Sequence, residues 1–399
     1  MNLHKLLSVH DFERAALRRL PAILQRYVSA GTEDGLTLRA NRDAFARLAF
    51  RPRGLANVEH RSTGVELWGR KYASPIGVSP MGALAICRFD CDLDIALAAA
   101  RQQVPYVLSG LSCVALERMQ EAGLDIWYQG YLPGDQERIG ALIERLDAAQ
   151  VKVLVITIDT AVGANREHNE RVGFNIPFKL SPKLVLDGLL HPHWAVSVFL
   201  RTALAGGIPK FLNASADRGG FYITKAPPGG LREGRERLAW PHLAWIRARW
   251  RGKIVLKGVL HPQDAALAVA HGVDAVMVSN HGGRQLETGR AALDALPDII
   301  DAVPSGFPVL IDGGFRRGTD VLKAIALGAR MAFVGRPALY GAVAGGVEGC
   351  SRVLSILQTE IDRNMALLGV RSLSELTPDY LCSTPSGAAP GARRLALPV

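Results

Sequence analysis

The sequence predicts an α/β protein of the (β/α)8 TIM-barrel class, with an N-terminal helical extension and a long insertion after the fourth strand. Two observations support this prediction. Eight short apolar segments alternate with segments in which apolar residues recur at i, i+3 and i+4, the spacing of an amphipathic helix. Each apolar segment also runs into polar or glycine residues, as expected where parallel strands end at the mouth of a barrel.

The eight predicted strands follow one another with a helical pattern after most of them. The strands are expected at 75–78, 104–108, 126–129, 153–158, 254–257, 275–278, 308–311 and 331–334. The clearest helical patterns are at 92–102, 135–149, 262–271, 293–302 and 317–327. Right-handed crossovers would place these helices outside a closed parallel barrel.

Regions at both ends of the chain lie outside this repeat. Residues 1–74 are expected to form helices and a short hairpin that cap the barrel bottom or cover its mouth. Residues 346–369 are expected to form one long closing helix. We therefore expect one domain over 1–380 and a flexible tail over 381–399, which is rich in Ser, Pro, Gly and Ala.

The insertion covers residues 160–239, and loops of this length are usually functional or disordered. Its part from 178 to 212 combines large apolar residues with Lys, Arg and Trp194, a composition typical of peripheral membrane contact. The alternative is a segment that packs on the barrel or on a neighbouring subunit. The glycine-rich, charged part from 217 to 237 has the composition of a mobile lid.

Composition narrows the class of protein. Of the 399 residues, 48% are hydrophobic and 21% charged, which indicates a folded protein, and the net charge of +10 favours anionic ligands. The basic residues are dispersed without a zinc-finger or RNA-binding motif, so no nucleic-acid partner is expected. Five cysteines without a C-x-x-C pair argue against a disulfide framework and a metal site. The sequence has no secretory signal pattern and no membrane-spanning segment, so a cytoplasmic location is expected. Any membrane contact would be peripheral, on the inner face of the cell membrane.

Residues that follow the strands supply the candidate active site, because these ends converge in a barrel. In chain order they are Ser79, Pro80, Met81, Gly82, Ser109, Gln129, Tyr131, Thr157, Asp159, Lys257, Ser279, His281, Arg284, Asp312, Gly313, Gly314, Arg316, Gly335 and Arg336. The glycines after the seventh and eighth strands let backbone N–H groups approach a phosphate, with Arg316 or Arg336 adding charge.

Three of these residues suggest the chemistry. His281 follows the sixth strand among polar and glycine residues, where Asp159 could stabilise its protonated form, so it is a candidate base. Lys257 could hold a positive charge where a flavin ring gains electrons, although an internal salt bridge is the alternative. A structural core histidine is the alternative for His281.

Three motifs resemble the signature of the FMN-dependent 2-hydroxy acid dehydrogenase and oxidase family. They are Ser-Asn-His-Gly-Gly-Arg-Gln-Leu at 279–286, Leu-Lys-Gly at 256–258 and Asp-Gly-Gly-Phe-Arg-Arg-Gly at 312–318. The resemblance extends over nearly the whole chain and implies FMN as cofactor and a homotetramer. Within the family, the mandelate-oxidising branch is the most similar, on the insertion stretch 181–194, Gly82 and residues 355–380.

The resemblance also implies roles for individual residues. His281 and Asp159 would be the catalytic pair, with Lys257 beside the flavin. The substrate would be bound by Tyr27, Tyr131, Arg166 and Arg284. The residues implied to bind FMN are Pro80, Met81, Gly82, Ser109, Gln129, Thr157, Lys257, Ser279, Asp312, Gly313, Gly314, Arg316, Gly335 and Arg336.

The implied reaction is the oxidation of an (S)-2-hydroxy acid, aromatic such as mandelate, to the 2-keto acid, with electrons passed to a membrane quinone-type acceptor. His281 would remove either the hydroxyl proton or the proton on the 2-carbon. The alternative within the family is an oxidase of lactate, glycolate or hydroxymandelate that uses oxygen and produces hydrogen peroxide. A barrel retained only for binding is a further alternative, against which the presence of His281, Asp159, Arg166, Arg284 and Lys257 argues.

Overall fold

Eight parallel strands form a closed barrel in the computed structural model, which describes residues 2–174, 182–227 and 229–384. The strands β1 to β8 are Ile76–Val78, Val107–Ser109, Trp127–Gly130, Val153–Thr157, Lys253–Val259, Ala275–Val278, Val309–Asp312 and Met331–Val334. They pair in the order β1-β8-β7-β6-β5-β4-β3-β2. A parallel bridge between Val78 and Tyr106 joins β1 to the chain leading into β2, and the Val78 N–H donates to the Pro105 carbonyl at 2.8 Å. The predicted barrel is confirmed.

Helices follow the strands and cover the outside of the barrel. They are Cys91–Arg101, Leu116–Glu121, Gln136–Ala148, Trp240–Arg249, Pro262–Ala270, Ala292–Asp301, Gly318–Ala326 and Arg336–Leu368. The predicted helices agree with these within one or two residues, apart from the last. The residues that mark helix starts in the sequence act as caps in the structure. Asp135, for example, accepts the Arg138 N–H at 3.1 Å and caps the helix that begins at Gln136.

The closing helix begins earlier than the expected start at 346. It runs from Arg336, directly after β8, to Leu368, and it is broken at Gly345 and Gly346. Gly346 has a φ of +62°, a conformation that favours glycine. The first part escaped sequence analysis because its glycines obscure the helical periodicity.

The N-terminal extension contains three helices, at Val9–Leu17, Ala22–Ser29 and Leu36–Ala46. A hairpin of Val65–Leu67 and Arg70–Tyr72 follows them, as expected. Buried hairpin residues belong to one apolar cluster with Val107, Trp127 and Val153, the first residues of three barrel strands, so the hairpin closes the barrel bottom. Short 3-10 helices complete the structure at Leu3–Lys5, Leu84–Ile86, Arg235–Arg237, Leu373–Glu375 and Pro378–Tyr380.

The start of the predicted flexible tail is ordered. Leu381–Ser383 forms a strand that pairs antiparallel with Leu48–Phe50, and the Thr384 N–H donates to the Arg47 carbonyl at 2.8 Å. This pairing joins the two ends of the chain, and composition alone does not reveal such a long-range contact. The rest of the predicted tail, 385–399, lies outside the described residues.

The described part of the insertion contains several short helices and a two-stranded sheet. Its elements are the helices Glu167–Arg171, Pro182–Leu189, Pro192–Trp194 and Arg201–Gly206, a π-helical turn at Ala195–Leu200, and the paired strands Lys210–Phe211 and Phe221–Tyr222. Residues 178–181 of the predicted membrane segment lie outside the described residues. Among the described residues, no helix is both long and apolar enough to cross a bilayer.

The insertion is attached to the rest of the chain by specific hydrogen bonds. The Asp187 carboxylate accepts the N–H groups of Ala22 and Ile23 at 3.1 and 3.0 Å, at the start of the second N-terminal helix. The Trp194 indole N–H donates to the Ile86 carbonyl at 2.8 Å, and Phe211 is fully buried. Trp194 and Phe211 therefore anchor the insertion to the barrel, which corrects the expectation that Trp194 faces a membrane.

We expect Gly77→Ala to lower the free energy of unfolding by about 1–3 kcal/mol, the range for overpacking a core. A Cβ at Gly77 would lie 2.5 Å from the Phe333 ring, which is packed against Trp127. Urea denaturation at equal flavin saturation measures the effect. Gly54→Ala is the control, because a Cβ there meets no atom within 4 Å. Equal midpoints for the two variants would contradict the packing described here.

Candidate active site

A cavity of about 330 Å³ occupies the C-terminal mouth of the barrel. The predicted site residues that line it are Tyr27, Pro80, Met81, Gly82, Tyr131, Arg166, Lys257, His281, Arg284, Asp312, Gly313, Gly314, Arg316, Gly335 and Arg336. The other predicted site residues, Ser109, Gln129, Thr157, Asp159 and Ser279, do not line the cavity. Several of them bond to one another or to lining residues, so the predicted set forms one continuous site.

His281 and Asp159 form a hydrogen-bonded pair beside the cavity. His281 follows β6 with a φ of +57°, and its Nδ1 lies 3.0 Å from Asp159 Oδ1. Burial alone would raise the pKa of Asp159, but attraction to His281 and Lys257 holds it below its ordinary value. Among the described residues, no group bonds to the other ring nitrogen, Nε2. The pair thus orients the imidazole and leaves Nε2 available for proton transfer.

Gly258 allows Asp159 to take this position. It has a φ of +103°, and a Cβ there would lie 2.9 Å from the Cβ and Cγ atoms of Asp159. Sequence analysis noted Gly258 only as part of a motif, not as a site residue. Gln285 was missed in the same way: its Nε2 donates to the Asp159 carbonyl at 2.9 Å, and its Oε1 accepts from Arg166 at 3.0 Å. Gln285 thus links Asp159 to Arg166.

Arg166 and Arg284 lie together at the cavity and are bonded to neutral oxygens. Arg284 Nη1 donates to the carbonyls of Tyr27 and Ala30 at 2.9 and 2.8 Å, and Arg166 Nη2 donates to the Arg284 carbonyl at 2.9 Å. Within the described part of the chain, no carboxylate forms an ion pair with either. Burial, together with repulsion from Arg166, lowers the pKa of Arg284 to about 9. Two neighbouring cations without a counter-ion suit an anionic ligand.

Two tyrosine rings flank these cations. The Arg284 guanidinium lies 5.2 Å from the centre of the Tyr27 ring, and the Tyr131 ring stacks near that of His281 with 6.4 Å between centroids. The four residues predicted to bind substrate therefore lie around the predicted base.

The loops after β7 and β8 have the backbone required for binding phosphate. Gly313 and Gly314 have φ values of +107° and +85°, and their N–H groups donate no backbone hydrogen bond within the described residues. A Cβ at Gly314 would collide with the Asn41 backbone. Arg316 and Arg336 both line this side of the cavity. Burial lowers the pKa of Arg336 to about 10, because a charged side chain loses hydration there. A bound anion would offset that loss of free energy.

Lys257 holds a buried charge at the base of the cavity. Its Nζ lies 2.9 Å from Asp312 Oδ2 and donates to Ser279 Oγ at 2.7 Å, and Ser79 Oγ donates to the same carboxylate oxygen at 3.0 Å. Burial would lower the pKa of Lys257, but Asp312 and Asp159 raise it above its ordinary value, so the ammonium stays protonated. The internal salt bridge considered for Lys257 therefore exists, in a residue that also lines the cavity.

The site fits FMN by its unpaired polar groups as well as by its glycine turns. The buried atoms Gln129 Nε2, Thr157 Oγ1 and Asp312 Oδ1 have no hydrogen-bond partner among the described residues, and all three belong to residues at the C-terminal ends of strands. Such atoms are costly unless a ligand completes their hydrogen bonds. A polar heterocycle with a phosphate tail matches this set of donors, acceptors and phosphate-binding turns.

Two further arginines, Arg232 and Arg235, also line the cavity from the insertion. Sequence analysis placed them in a charged, lid-like segment and did not assign them to the site. Their spacing in a glycine-rich loop carries no periodic signal.

Comparison with known proteins agrees with this geometry. The family model described as FMN-dependent dehydrogenase matches residues 16–383. The chain is 35% identical to (S)-mandelate dehydrogenase of Pseudomonas putida, covering 94% of each protein. It is 36% identical to L-lactate dehydrogenase of Pectobacterium atrosepticum, over 93% of this chain and 95% of the relative. It is 35% identical to L-lactate oxidase of Nostoc sp., over 94% and 98%.

Solved structures give the same result. The crystal structure of the monotopic membrane protein (S)-mandelate dehydrogenase superposes with a TM-score of 0.88 at 35% identity. The match covers 96% of this chain and all of that one.

We expect Lys257→Met to lower the free energy of unfolding by about 3–5 kcal/mol, the range for leaving one member of a buried ion pair alone. Lys257→Met combined with Asp312→Asn should recover most of this loss, since no unpaired charge remains. Denaturation of the flavin-free proteins measures the effect. Lys253→Met is the control, because Lys253 lies on the same strand in a half-exposed pair with Asp274. A single variant as stable as the parent would show that the buried pair is not formed.

Proposed function

This chain belongs to the family of FMN-dependent 2-hydroxy acid dehydrogenases and oxidases, and on that premise we propose that it oxidises an (S)-2-hydroxy acid and passes the electrons to a quinone-type acceptor in a membrane. The observation that carries the proposal is the His281–Asp159 pair beside Arg166 and Arg284 in one cavity. Mandelate is the reference substrate, because (S)-mandelate dehydrogenase is among the similar proteins and apolar Leu111 and Leu231 line the same cavity.

Substrate binding follows from the two free cations. Arg166 and Arg284 bind the substrate carboxylate, and the Tyr27 and Tyr131 hydroxyls orient it. Both guanidiniums are held in place by backbone carbonyls, so little side-chain entropy is lost when the carboxylate arrives. The 2-carbon is thereby fixed close to His281.

Proton transfer depends on the imidazole. His281 takes a proton from the substrate at Nε2, while Asp159 at Nδ1 stabilises the imidazolium that forms. FMN supplies the two-electron acceptor for the reaction. The protonated Lys257 places a fixed positive charge at the base of the cavity, where it stabilises added negative charge. The glycine turns after β7 and β8, with Arg316 and Arg336, hold the phosphate.

A second candidate is an oxidase that uses oxygen and produces hydrogen peroxide. The chain is as similar to L-lactate oxidase as to (S)-mandelate dehydrogenase, at 35% identity to each, and this supports the second candidate. Reoxidation of the reduced protein separates the two: a quinone should restore the flavin absorbance much faster than air.

We also propose that the insertion binds the inner face of the cell membrane. Between 182 and 212 a set of large apolar side chains is exposed, most of them on the helices Pro182–Leu189 and Arg201–Gly206 and the π-helical turn between them. They are Val185, Leu186, Leu189, Leu190, Val196, Phe199, Leu200, Leu204 and Ile208. Exposed apolar surface of this extent marks an interaction site, and the similar mandelate dehydrogenase is described as monotopic. A homotetramer, implied by the resemblance, is proposed alongside.

We expect His281→Asn to keep FMN but to slow anaerobic flavin reduction by mandelate at least about a thousandfold, because the base is absent while the phosphate turns are intact. Asparagine is chosen because it tolerates the left-handed backbone at this position. Stopped-flow absorbance measures the rate. His60→Asn, an exposed histidine, is the control. Fast reduction in His281→Asn with bound FMN would remove His281 from the mechanism.

Replacing exposed apolar residues of the insertion should release the protein from membranes. We expect Leu189→Ser with Phe199→Ser and Leu204→Ser to reduce sedimentation with phosphatidylglycerol-rich vesicles at least about tenfold, because each of the three is more than half exposed. Flavin content should not change. Leu55→Ser with Leu367→Ser is the control, since these leucines are also more than half exposed but lie outside the insertion. If parent and triple variant sediment alike, or neither sediments, the segment is no anchor.

A further inference from the structure

Arg232 and Arg235 bring two cations to the cavity that the proposed reaction does not require. Both residues line the cavity from the turn around Arg235–Arg237. The Arg235 guanidinium lies 4.2 Å from the centre of the Tyr131 ring, and its Nη2 donates to the Leu231 carbonyl at 2.9 Å. These contacts hold the Arg235 side chain over a residue predicted to bind substrate.

Neither guanidinium has a counter-ion within the described part of the chain. The Arg232 guanidinium forms no hydrogen bond or ion pair there, and Glu233 next to it pairs with Arg138 at 3.4 Å instead. Glu170 lines the cavity but pairs with neither arginine. Burial lowers the pKa of Arg235 to about 10, and burial together with the charge of Arg166 lowers that of Arg232. The Arg235 side chain is half-buried, so its charge is held at a free-energy cost that a bound anion would offset, and the more exposed Arg232 adds a second positive charge to the same cavity.

The other cations of the cavity have tasks of their own. Arg316 and Arg336 lie with the phosphate-binding turns, and Lys257 is paired with Asp312. Arg166 and Arg284 serve the carboxylate that every 2-hydroxy acid carries. Arg232 lines the same cavity as Arg166, and the two charges repel each other. The two arginines of the insertion are thus left for a second anion.

We propose that Arg232 and Arg235 bind an anionic group at the end of the substrate side chain, so that the enzyme prefers 2-hydroxy acids with a second carboxylate over neutral ones. This inference rests on the proposed function and specifies its substrate class. A guanidinium binds a carboxylate with two parallel hydrogen bonds, which a neutral side chain cannot reproduce. A neutral substrate leaves both cations without a counter-ion, and Arg235 is half-buried, so a neutral substrate binds more weakly.

The test compares matched substrates on the FMN-loaded protein. The pairs are 2-hydroxyglutarate with its 5-amide, and 4-carboxymandelate with mandelate 4-carboxamide, measured by anaerobic flavin reduction. We expect kcat/KM to be at least about tenfold higher for the dicarboxylate in one or both pairs, mainly through KM. In Arg232→Met with Arg235→Met this ratio should fall to near one. Arg237→Met removes a charge from the same turn without touching the cavity, and it should keep the parent ratio.

A binding measurement separates this inference from the reaction itself. Glutarate and glutaramate cannot be oxidised in this way, and their Kd values can be read from the change in flavin absorbance. Tighter binding of glutarate, lost in the double methionine variant and partly restored with lysines, supports the role of the two arginines. If the parent protein gives the same kcat/KM and the same Kd for the charged and neutral members of each pair, the proposal is wrong. If no 2-hydroxy acid reduces the flavin, the proposed function fails, and the Kd values still decide the role of the arginines.

Discussion

Buried guanidinium groups at the barrel mouth donate hydrogen bonds to backbone carbonyls of the N-terminal extension, and the wall of the cavity depends on these bonds. Arg284 bonds to the carbonyls of Tyr27 and Ala30, and Arg336 bonds to that of Val28 at 3.0 Å. Carbonyl oxygens solvate a cation without neutralising it. The charges therefore remain available to anions, and the same bonds fix the chain segment that carries Tyr27.

The barrel and much of its site could be predicted because local and global signals agree in this sequence. Strands buried on both sides appear as continuous apolar runs, and the architecture brings their C-terminal ends together. His281, Asp159 and Lys257 were therefore grouped from their positions alone, and the geometry places them together.

What could not be predicted depends on contacts between distant parts of the chain. The pairing of Leu48–Phe50 with Leu381–Ser383 joins segments whose compositions indicate nothing about each other. Arg232 and Arg235 reach the cavity only because the insertion folds back over the mouth, and Trp194 faces the barrel because a carbonyl oxygen there accepts its N–H. Contacts between residues far apart in the chain decided each case, and periodicity does not report such contacts.

The helix Ala22–Ser29 joins two parts of the molecule that otherwise have separate tasks. Its first N–H groups are capped by Asp187 of the insertion, and the carbonyls at its other end hold Arg284 and Arg336. An α-helix of eight residues spans about 12 Å and resists compression along its axis. It therefore links the insertion to the guanidinium groups of the cavity through one continuous series of hydrogen bonds.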